Sequence, residues 1–212
     1  MANQQWEHVA LAARVVADLV TAPEVAERWT EESSCAGMSV GGLAYHLGSQ
    51  VDVVGRLLTG EPTDDAPIPL VEHYRRATWA NTGLDDEVNV SIREGSDADA
   101  AGGPEGLARE VQGWVAALGP ALSGDLPTIV NIPWQGWSLA TEDFLATRFM
   151  EMVVHADDLA DSVGLPTPEF PDAVLGPALH LLTSVAVDRH GQAAVVRALS
   201  RPQRAPSSVS AF

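Results

Sequence analysis

The sequence predicts an all-α protein, and three observations support that prediction. Apolar residues recur at steps of three and four, which is the period of one face of an α-helix. Hydrophobic residues make up 46% of the 212-residue chain, enough to build a core. The segment TIVNIPWQGW (128–137) differs, because it combines β-branched residues with a proline, a glycine and two tryptophans. We expect a short extended or irregular piece there.

The first elements follow from the apolar stripe and from helix-capping residues. The first helix is indicated by a set of residues at helical spacing: Trp6, Val9, Ala13, Val16 and Val20. Pro23 ends that helix and opens a short second one. A loop is expected over 31–38, and Ser39 is typical of the N-cap of a helix that continues to Gly60. The stretch 61–69 contains three prolines and is predicted to be a linker.

The later elements are separated by proline and glycine. Residues 70–80 are predicted to form a helix, and the Asp-, Gly-, Asn- and Ser-rich run 81–103 a long solvated loop. Pro104 suits the first position of the next helix. Three further helices are expected at 139–163, about 171–188 and 191–200. The prediction is a single domain over 1–200, followed by an irregular tail over 201–212.

Charge and composition exclude several classes of function. Twelve Lys and Arg against 29 Asp and Glu give a net charge of −17, so we expect neither nucleic acid nor a membrane as partner. No apolar run approaches the roughly 18 residues of a membrane span, and charged residues interrupt the N-terminal segment, which argues against a signal peptide. The single cysteine, Cys35, excludes an internal disulfide and a multi-cysteine zinc site. We expect a cytoplasmic monomer or homodimer.

The segment FLATRFMEMVVHADDLADS (144–162) offers the clearest chemistry. Glu151 and His155 are four residues apart, so their side chains lie one above the other on one helical face. Apolar neighbours bring this face partly into the core, where a charge is costly unless it is paired or bound to a metal. The spacing suits two ligands of one divalent cation. The alternative is an ion pair on a solvated face.

His46 lies on the inward face of the apolar helix VGGLAYHLGSQVDVV. With Glu151 and His155 it would give two histidines and one carboxylate, and three protein ligands with an open position are typical of a catalytic metal site. Zn²⁺ is the first choice, and Fe²⁺, Ni²⁺ or Co²⁺ would accept the same ligands. The alternative is a core histidine satisfied by one hydrogen bond.

The segments SVGGLAYHLGSQ and RFMEMVVHADDLADSVGLP resemble the two signature segments of the DinB-like metalloenzymes. They resemble in particular the family of the mycothiol-dependent maleylpyruvate isomerase N-terminal domain. The resemblance extends over roughly residues 5 to 200, and its specific positions are His46, Glu151 and His155. It implies a four-helix bundle with a metal at one end of the core, here with additional C-terminal helices, and mycothiol, a low-molecular-weight thiol, as cosubstrate.

The implied chemistry begins with a thiol whose sulfur binds or approaches the metal. A divalent cation lowers the pKa of a bound thiol or water. A thiolate could add to an electrophilic double bond of a small substrate and leave after rotation, giving cis–trans isomerisation, or stay attached, giving S-transfer. The sequence after the bundle is too short for a sizeable second domain, which leaves the substrate open. Two alternatives are a metal–water hydrolase of a small amide or ester and a non-catalytic metal-binding stress-response bundle.

Other polar and aromatic residues are predicted around these ligands. Arg148, one turn before Glu151, could orient that carboxylate, hold an acidic group of the substrate, or form a surface ion pair. Asp158, one turn after His155, could accept a hydrogen bond from the second imidazole nitrogen. Three residues could line the pocket for the thiol or substrate, with simple packing as the alternative: Gln50, Trp134 and Trp137.

Two further residues are expected to stay outside the chemistry. His73 lies in VEHYRR, next to two arginines that could meet an acidic ligand, but a solvated surface position is predicted for it. Cys35 lies in a Ser/Gly loop with no helix N-terminus or basic neighbour to activate its thiol, so it is predicted to be inert.

Overall fold

A computed structural model describes residues 6–61 and 63–212, and the fold is all-α apart from one small hairpin. The elements in chain order are α1 (Glu7–Val20), α2 (Pro23–Glu27), α3 (Val40–Leu58), α4 (Leu70–Arg76), α5 (Glu87–Asp99), α6 (Gly103–Ala121), β1 (Ile129–Ile132), β2 (Trp137–Ala140), α7 (Thr141–Val163), α8 (Asp172–His190) and α9 (Gln192–Ser200). Residues 1–5, which belong to the N-terminal segment that we expect not to be a signal peptide, and residue 62 of the predicted linker lie outside the described residues. Within that description, no helix has the length and apolar character needed to cross a bilayer.

Helices α1, α3, α6 and α7 form the bundle. Helix α3 packs against α6 and α7, and α1 packs against all three of the others. The inner face of α3 consists of buried residues at helical spacing: Val40, Leu43, Ala44, Leu47, Val51, Val54 and Leu58. Each leucine buried in this way stabilises the fold by about 1.5–3 kcal/mol. Helix α8 covers α7, and α9 packs on α8, so the predicted C-terminal helices complete the structure.

The start of α3 is fixed by a cap and two glycines. The Oγ atom of Ser39 accepts a hydrogen bond from the Gly42 N–H at 3.0 Å. The Oδ1 atom of Asp97, on α5, accepts from the Ser39 N–H at 3.1 Å, and a Cβ on Gly42 would collide with this carboxylate. A Cβ on Gly41 would lie 2.5 Å from Cε2 of Trp29. The glycine pair therefore lets two side chains pack directly on the helix backbone.

The predicted extended segment is an antiparallel hairpin, which confirms that part of the prediction. Strand β1 pairs with β2 so that Ile129 lies opposite Ala140 and Ile132 opposite Trp137. Gly136 supplies the positive φ of +77° that the connecting turn requires. Helix α7 begins directly after β2 and ends at Gly164, which adopts the left-handed conformation typical of a helix stop.

The predicted solvated loop over 81–103 is wrong, because most of it forms α5 and a following 3-10 turn at Ala100–Gly102. Helix α5 packs on α3 although its surface is largely polar. Side chain–backbone hydrogen bonds secure its start: Nδ2 of Asn89 donates to the carbonyls of Trp79 at 3.2 Å and Gly83 at 3.0 Å. The sequence of this stretch has no clear apolar stripe, and these hydrogen bonds hold the start of α5 instead.

The C-terminal end of the predicted 70–80 helix also differs from the prediction. Helix α4 stops at Arg76 and a 3-10 turn at Thr78–Asn81 follows. The irregular tail contains one 3-10 turn and then packs back on this region: the Phe212 ring lies 5.3 Å from those of Tyr74 and Trp79. The tail is irregular in shape, but its end contributes to the packing around α4.

Candidate metal centre

His46 of α3 and the Glu151 and His155 pair of α7 come together where the two helices face each other. The Nε2 atoms of His46 and His155 lie 3.7 and 3.2 Å from Oε2 of Glu151. The imidazole rings meet edge to face, with centroids 4.9 Å apart. Nitrogen or oxygen ligands about 2.1 Å from a tetrahedral cation are roughly 3.4 Å from one another. The donor set therefore fits a divalent cation in both chemistry and spacing.

These side chains are partly open to solvent. The exposed fraction is 23% for the side chain of His46, 12% for Glu151 and 22% for His155. A cation held between them would be shielded on the side of the bundle and reachable from the other side. That arrangement allows a further ligand from solution, as a catalytic site requires.

Asp158 sets the orientation of His155. Its Oδ2 atom lies 3.0 Å from Nδ1 of His155. If Nδ1 donates its proton to this carboxylate, the Nε2 lone pair points at Oε2 of Glu151, and two acceptors this close need a proton or a cation between them. Burial raises the pKa of Asp158, but hydrogen bonding to His155 and the imidazole charge outweigh it and lower that pKa.

The pKa values of Glu151 and His155 describe the same pairing. Burial alone would raise the pKa of Glu151, but His155, His46 and the charge of Arg148 hold it well below its usual range. Burial alone would lower the pKa of His155, but Asp158, the Cys35 thiol and Glu151 raise it well above its usual value. The pair favours a carboxylate beside an imidazolium, and a cation that binds here displaces a proton.

Arg148 is held by amide and hydroxyl groups instead of a carboxylate. Its Nη1 donates to Oε1 of Gln50 at 2.7 Å, and its Nε donates to Oγ1 of Thr147 at 3.0 Å. Gln50 is buried and also donates to the His46 carbonyl at 2.9 Å, so it links α3 to α7. The ion pairs found within residues 6–61 and 63–212 do not include Arg148, so the surface-ion-pair interpretation is wrong.

Cys35 lies beside the centre, contrary to the prediction that it has no basic neighbour. Its Sγ atom is 3.4 Å from Oδ2 of Asp158 and 4.0 Å from Nδ1 of His155. The loop reaches α7 because the Ser34 N–H donates to Oγ of Ser162 at 2.9 Å. No local pattern in the sequence indicates this contact, because it depends on where the loop docks.

His73 is buried, with 4% of its surface exposed, so its predicted solvated position is wrong. Its Nδ1 accepts a hydrogen bond from Nε1–H of Trp137 at 3.0 Å. Burial lowers the pKa of His73 to about 4; the charge of Arg148 lowers it further, and that of Glu151 opposes the shift. One signal could have found this histidine, because it lies in a stripe at steps of three and four: Leu70, His73, Tyr74 and Ala77.

The two tryptophans of the hairpin have different environments. Trp137 is partly buried against His73, and the guanidinium of Arg76 lies 6.0 Å from its ring centroid. Trp134 is 53% exposed in the turn between the strands. The role of Trp134 as a wall of the thiol pocket stays a prediction.

Fold and donor set define a helical bundle in which facing helices present two imidazoles and one carboxylate. The chain belongs to the mycothiol maleylpyruvate isomerase N-terminal domain family, whose model matches residues 9–160. The match includes both histidines and the glutamate of the centre, and it ends before α8 and α9. A search of curated proteins and a search of solved structures gave no match.

Proposed function

We propose that this protein is a metal-dependent enzyme that uses a low-molecular-weight thiol of the mycothiol type to attack a small electrophile. The reaction is an addition followed by cis–trans isomerisation or S-transfer. The observation that supports it is the close approach of His46, Glu151 and His155 on an accessible side of the bundle. Family membership supports the thiol and the isomerase class. A cytoplasmic location, where thiols stay reduced, belongs to the same proposal.

His46, Glu151 and His155 would hold the cation, with Zn²⁺ preferred and Fe²⁺, Ni²⁺ or Co²⁺ as alternatives. When bound, a divalent cation supplies Lewis-acid activation that lowers the pKa of a thiol and makes it a nucleophile at neutral pH. Asp158 would retain the Nδ1 proton of His155 and so keep the Nε2 lone pair directed inward.

Arg148 would bind an oxygen of the substrate that carries negative charge. Addition forms a C–S bond, turns the C=C bond into a single bond, and moves an electron pair onto a conjugated carbonyl oxygen. Rotation and elimination then restore the double bond and release the thiolate. A guanidinium held by Gln50 and Thr147 keeps donors free for that oxygen or for a carboxylate, and charge-assisted hydrogen bonds of this kind are strong.

The test combines metal analysis with a thiol-dependence assay. We expect about one divalent ion per chain, turnover of unsaturated acids only with added mycothiol, and loss of both in His46→Ala and His155→Ala. His180→Ala, at an exposed histidine of α8, is the matched control and should retain both. Turnover that requires the metal but ignores the thiol would instead indicate a hydrolase. Full metal content in both ligand variants would contradict the proposal.

A further inference from the structure

We propose that His73 contacts the electrophile as a neutral hydrogen-bond donor, through its Nε2–H, and that Trp137 is the residue that positions it. The acceptor would be a carbonyl or carboxylate oxygen of the substrate. This inference rests on the proposed function, because it assigns a second group to the same site. Helix α4 and strand β2, which carry the two residues, lie outside the donor set of α3 and α7.

The tautomer of His73 follows from its partner. An indole N–H can only donate a hydrogen bond, and Nε1 of Trp137 lies 3.0 Å from Nδ1 of His73. Nδ1 must therefore present a lone pair, and the single proton of the neutral ring is on Nε2. The rings meet nearly edge to face, at 80° with centroids 5.8 Å apart, which restricts the imidazole to this orientation.

Protonation of His73 is disfavoured by the same contact. An imidazolium would place an N–H on Nδ1 directly against the indole N–H, and burial acts in the same direction by lowering the pKa of His73 to about 4. At neutral pH the ring is therefore an uncharged donor. It can give a hydrogen bond to a substrate oxygen without transferring its proton.

Two neighbouring donors on α4, Nε2–H of His73 and the hydroxyl of Tyr74, have no acceptor among the described residues. Within residues 6–61 and 63–212, no atom accepts a hydrogen bond from Nε2–H of His73. The hydroxyl of the adjacent Tyr74 is buried without any hydrogen-bond partner in that part of the chain. Strand β2, which carries Trp137, runs directly into α7. The charges of Arg148 and Glu151 on α7 also act on the pKa values of both His73 and Tyr74. Buried donors are normally paired, and of these two the Tyr74 hydroxyl is the one that is fully buried and unpaired. Nε2–H of His73 makes no hydrogen bond within the described residues, and a substrate oxygen would supply its acceptor.

Kinetics of substituted enzymes test the contact. In metal-loaded His73→Phe we expect kcat to fall roughly 100-fold, the cost of removing one donor to developing charge, with metal content and KM for the thiol unchanged. His73→Gln, which keeps an N–H at similar reach, should recover part of that loss. Trp137→Phe should lower kcat by a smaller factor. A folded, metal-loaded His73→Phe enzyme with wild-type kcat would overturn the inference.

Nitrogen-15 NMR of the imidazole tests the tautomer without any turnover. The metal-free wild-type protein should show His73 protonated on Nε2, and Trp137→Phe should show a mixture of tautomers. A proton on Nδ1 in the wild type would overturn the inference. If no thiol-dependent turnover is found, the proposed function fails separately. Titration with fumarate, followed at the Nε2–H signal of His73, then decides: a saturable shift supports the contact, and an unchanged signal refutes it.

Discussion

His155 on α7 is partly buried and His73 on α4 is buried, and the charge of Glu151 acts on both imidazoles. Their pKa values nevertheless shift in opposite directions. The pKa of His155 is raised well above its usual value, whereas that of His73 is lowered to about 4. Burial acts on both in the same sense, because it disfavours the charged ring. The difference comes from the acceptors: hydrogen bonds to Asp158 and Glu151 outweigh burial at His155. His73 has no carboxylate partner, because its Nδ1 accepts from the indole N–H of Trp137, and the charge of Arg148 adds to the effect of burial.

The same residue type therefore has a different chemical role in each of the two regions. Where acceptors surround the ring, it attracts a proton or a cation. Where a donor contacts it, the ring stays neutral and one nitrogen remains a donor. Identity and burial alone would not separate these roles, and the immediate partner decides between them.

Removing His155 from the candidate metal centre should give the largest effect. In His155→Ala we expect the affinity for Zn²⁺ to fall by at least about 100-fold, since even outer partners of metal ligands contribute up to that factor. Isothermal titration calorimetry of the metal-stripped protein with Zn²⁺ measures this affinity. His73→Ala is the contrasting variant and should leave the metal affinity near the wild-type value. Equal losses in the two variants would remove the distinction between the regions.

His73 should make folding stability depend on pH. Its pKa falls from about 6.5 in the unfolded chain to about 4 in the fold, so the unfolded state binds more protons between these values. Its contribution is complete above pH 6.5 and is lost as the pH falls towards 4, by about 3 kcal/mol at most. Denaturant unfolding of wild type and His73→Phe from pH 7 to 4 measures it. The difference between the curves should change in favour of the variant at low pH; a constant difference would contradict the prediction.

Asp158→Asn should weaken the centre without removing a ligand. An amide cannot hold the Nδ1 proton of His155 as a carboxylate does, so we expect the metal affinity to fall about 10- to 100-fold. Asp157→Asn is a matched control, because Asp157 instead accepts a hydrogen bond from Thr167 on the surface. If the two variants bind the metal equally well, Asp158 does not orient His155.

Arg148→Gln should have the smallest effect. It should reduce the difference between the pKa values of His155 and His73. The charge of Arg148 lowers the pKa values of both Glu151 and His73. Without it, the pKa of His73 should rise but stay below its usual value, because burial is the larger cause. An NMR titration of the His73 ring protons follows this shift. A pKa that falls in the variant would show that the arginine does not act on this ring.

The candidate metal centre was easier to predict from the sequence than the His73 region. The four-residue step from Glu151 to His155 is local, and the apolar helix around His46 shows its inward direction. The His73 region depends on Trp137, which is 64 positions away in the chain and reaches α4 only through the hairpin. The prediction of a loop over 81–103 is wrong for a similar reason. Side chain–backbone hydrogen bonds of Asn89 hold the start of α5, where the sequence has no clear apolar stripe. Docking of this kind leaves no periodic signal.

The glycines at the start of α3 have a consequence for recognising relatives. Gly41 and Gly42 accommodate Trp29 and Asp97, and neither glycine belongs to the candidate donor set of His46, Glu151 and His155. The V-G-G-L-A-x-H-L segment thus combines a packing requirement with a chemical one. A homologue that keeps the paired glycines but replaces the histidine would retain the scaffold without the reactivity. Searches for active members should therefore score the two halves of this segment independently.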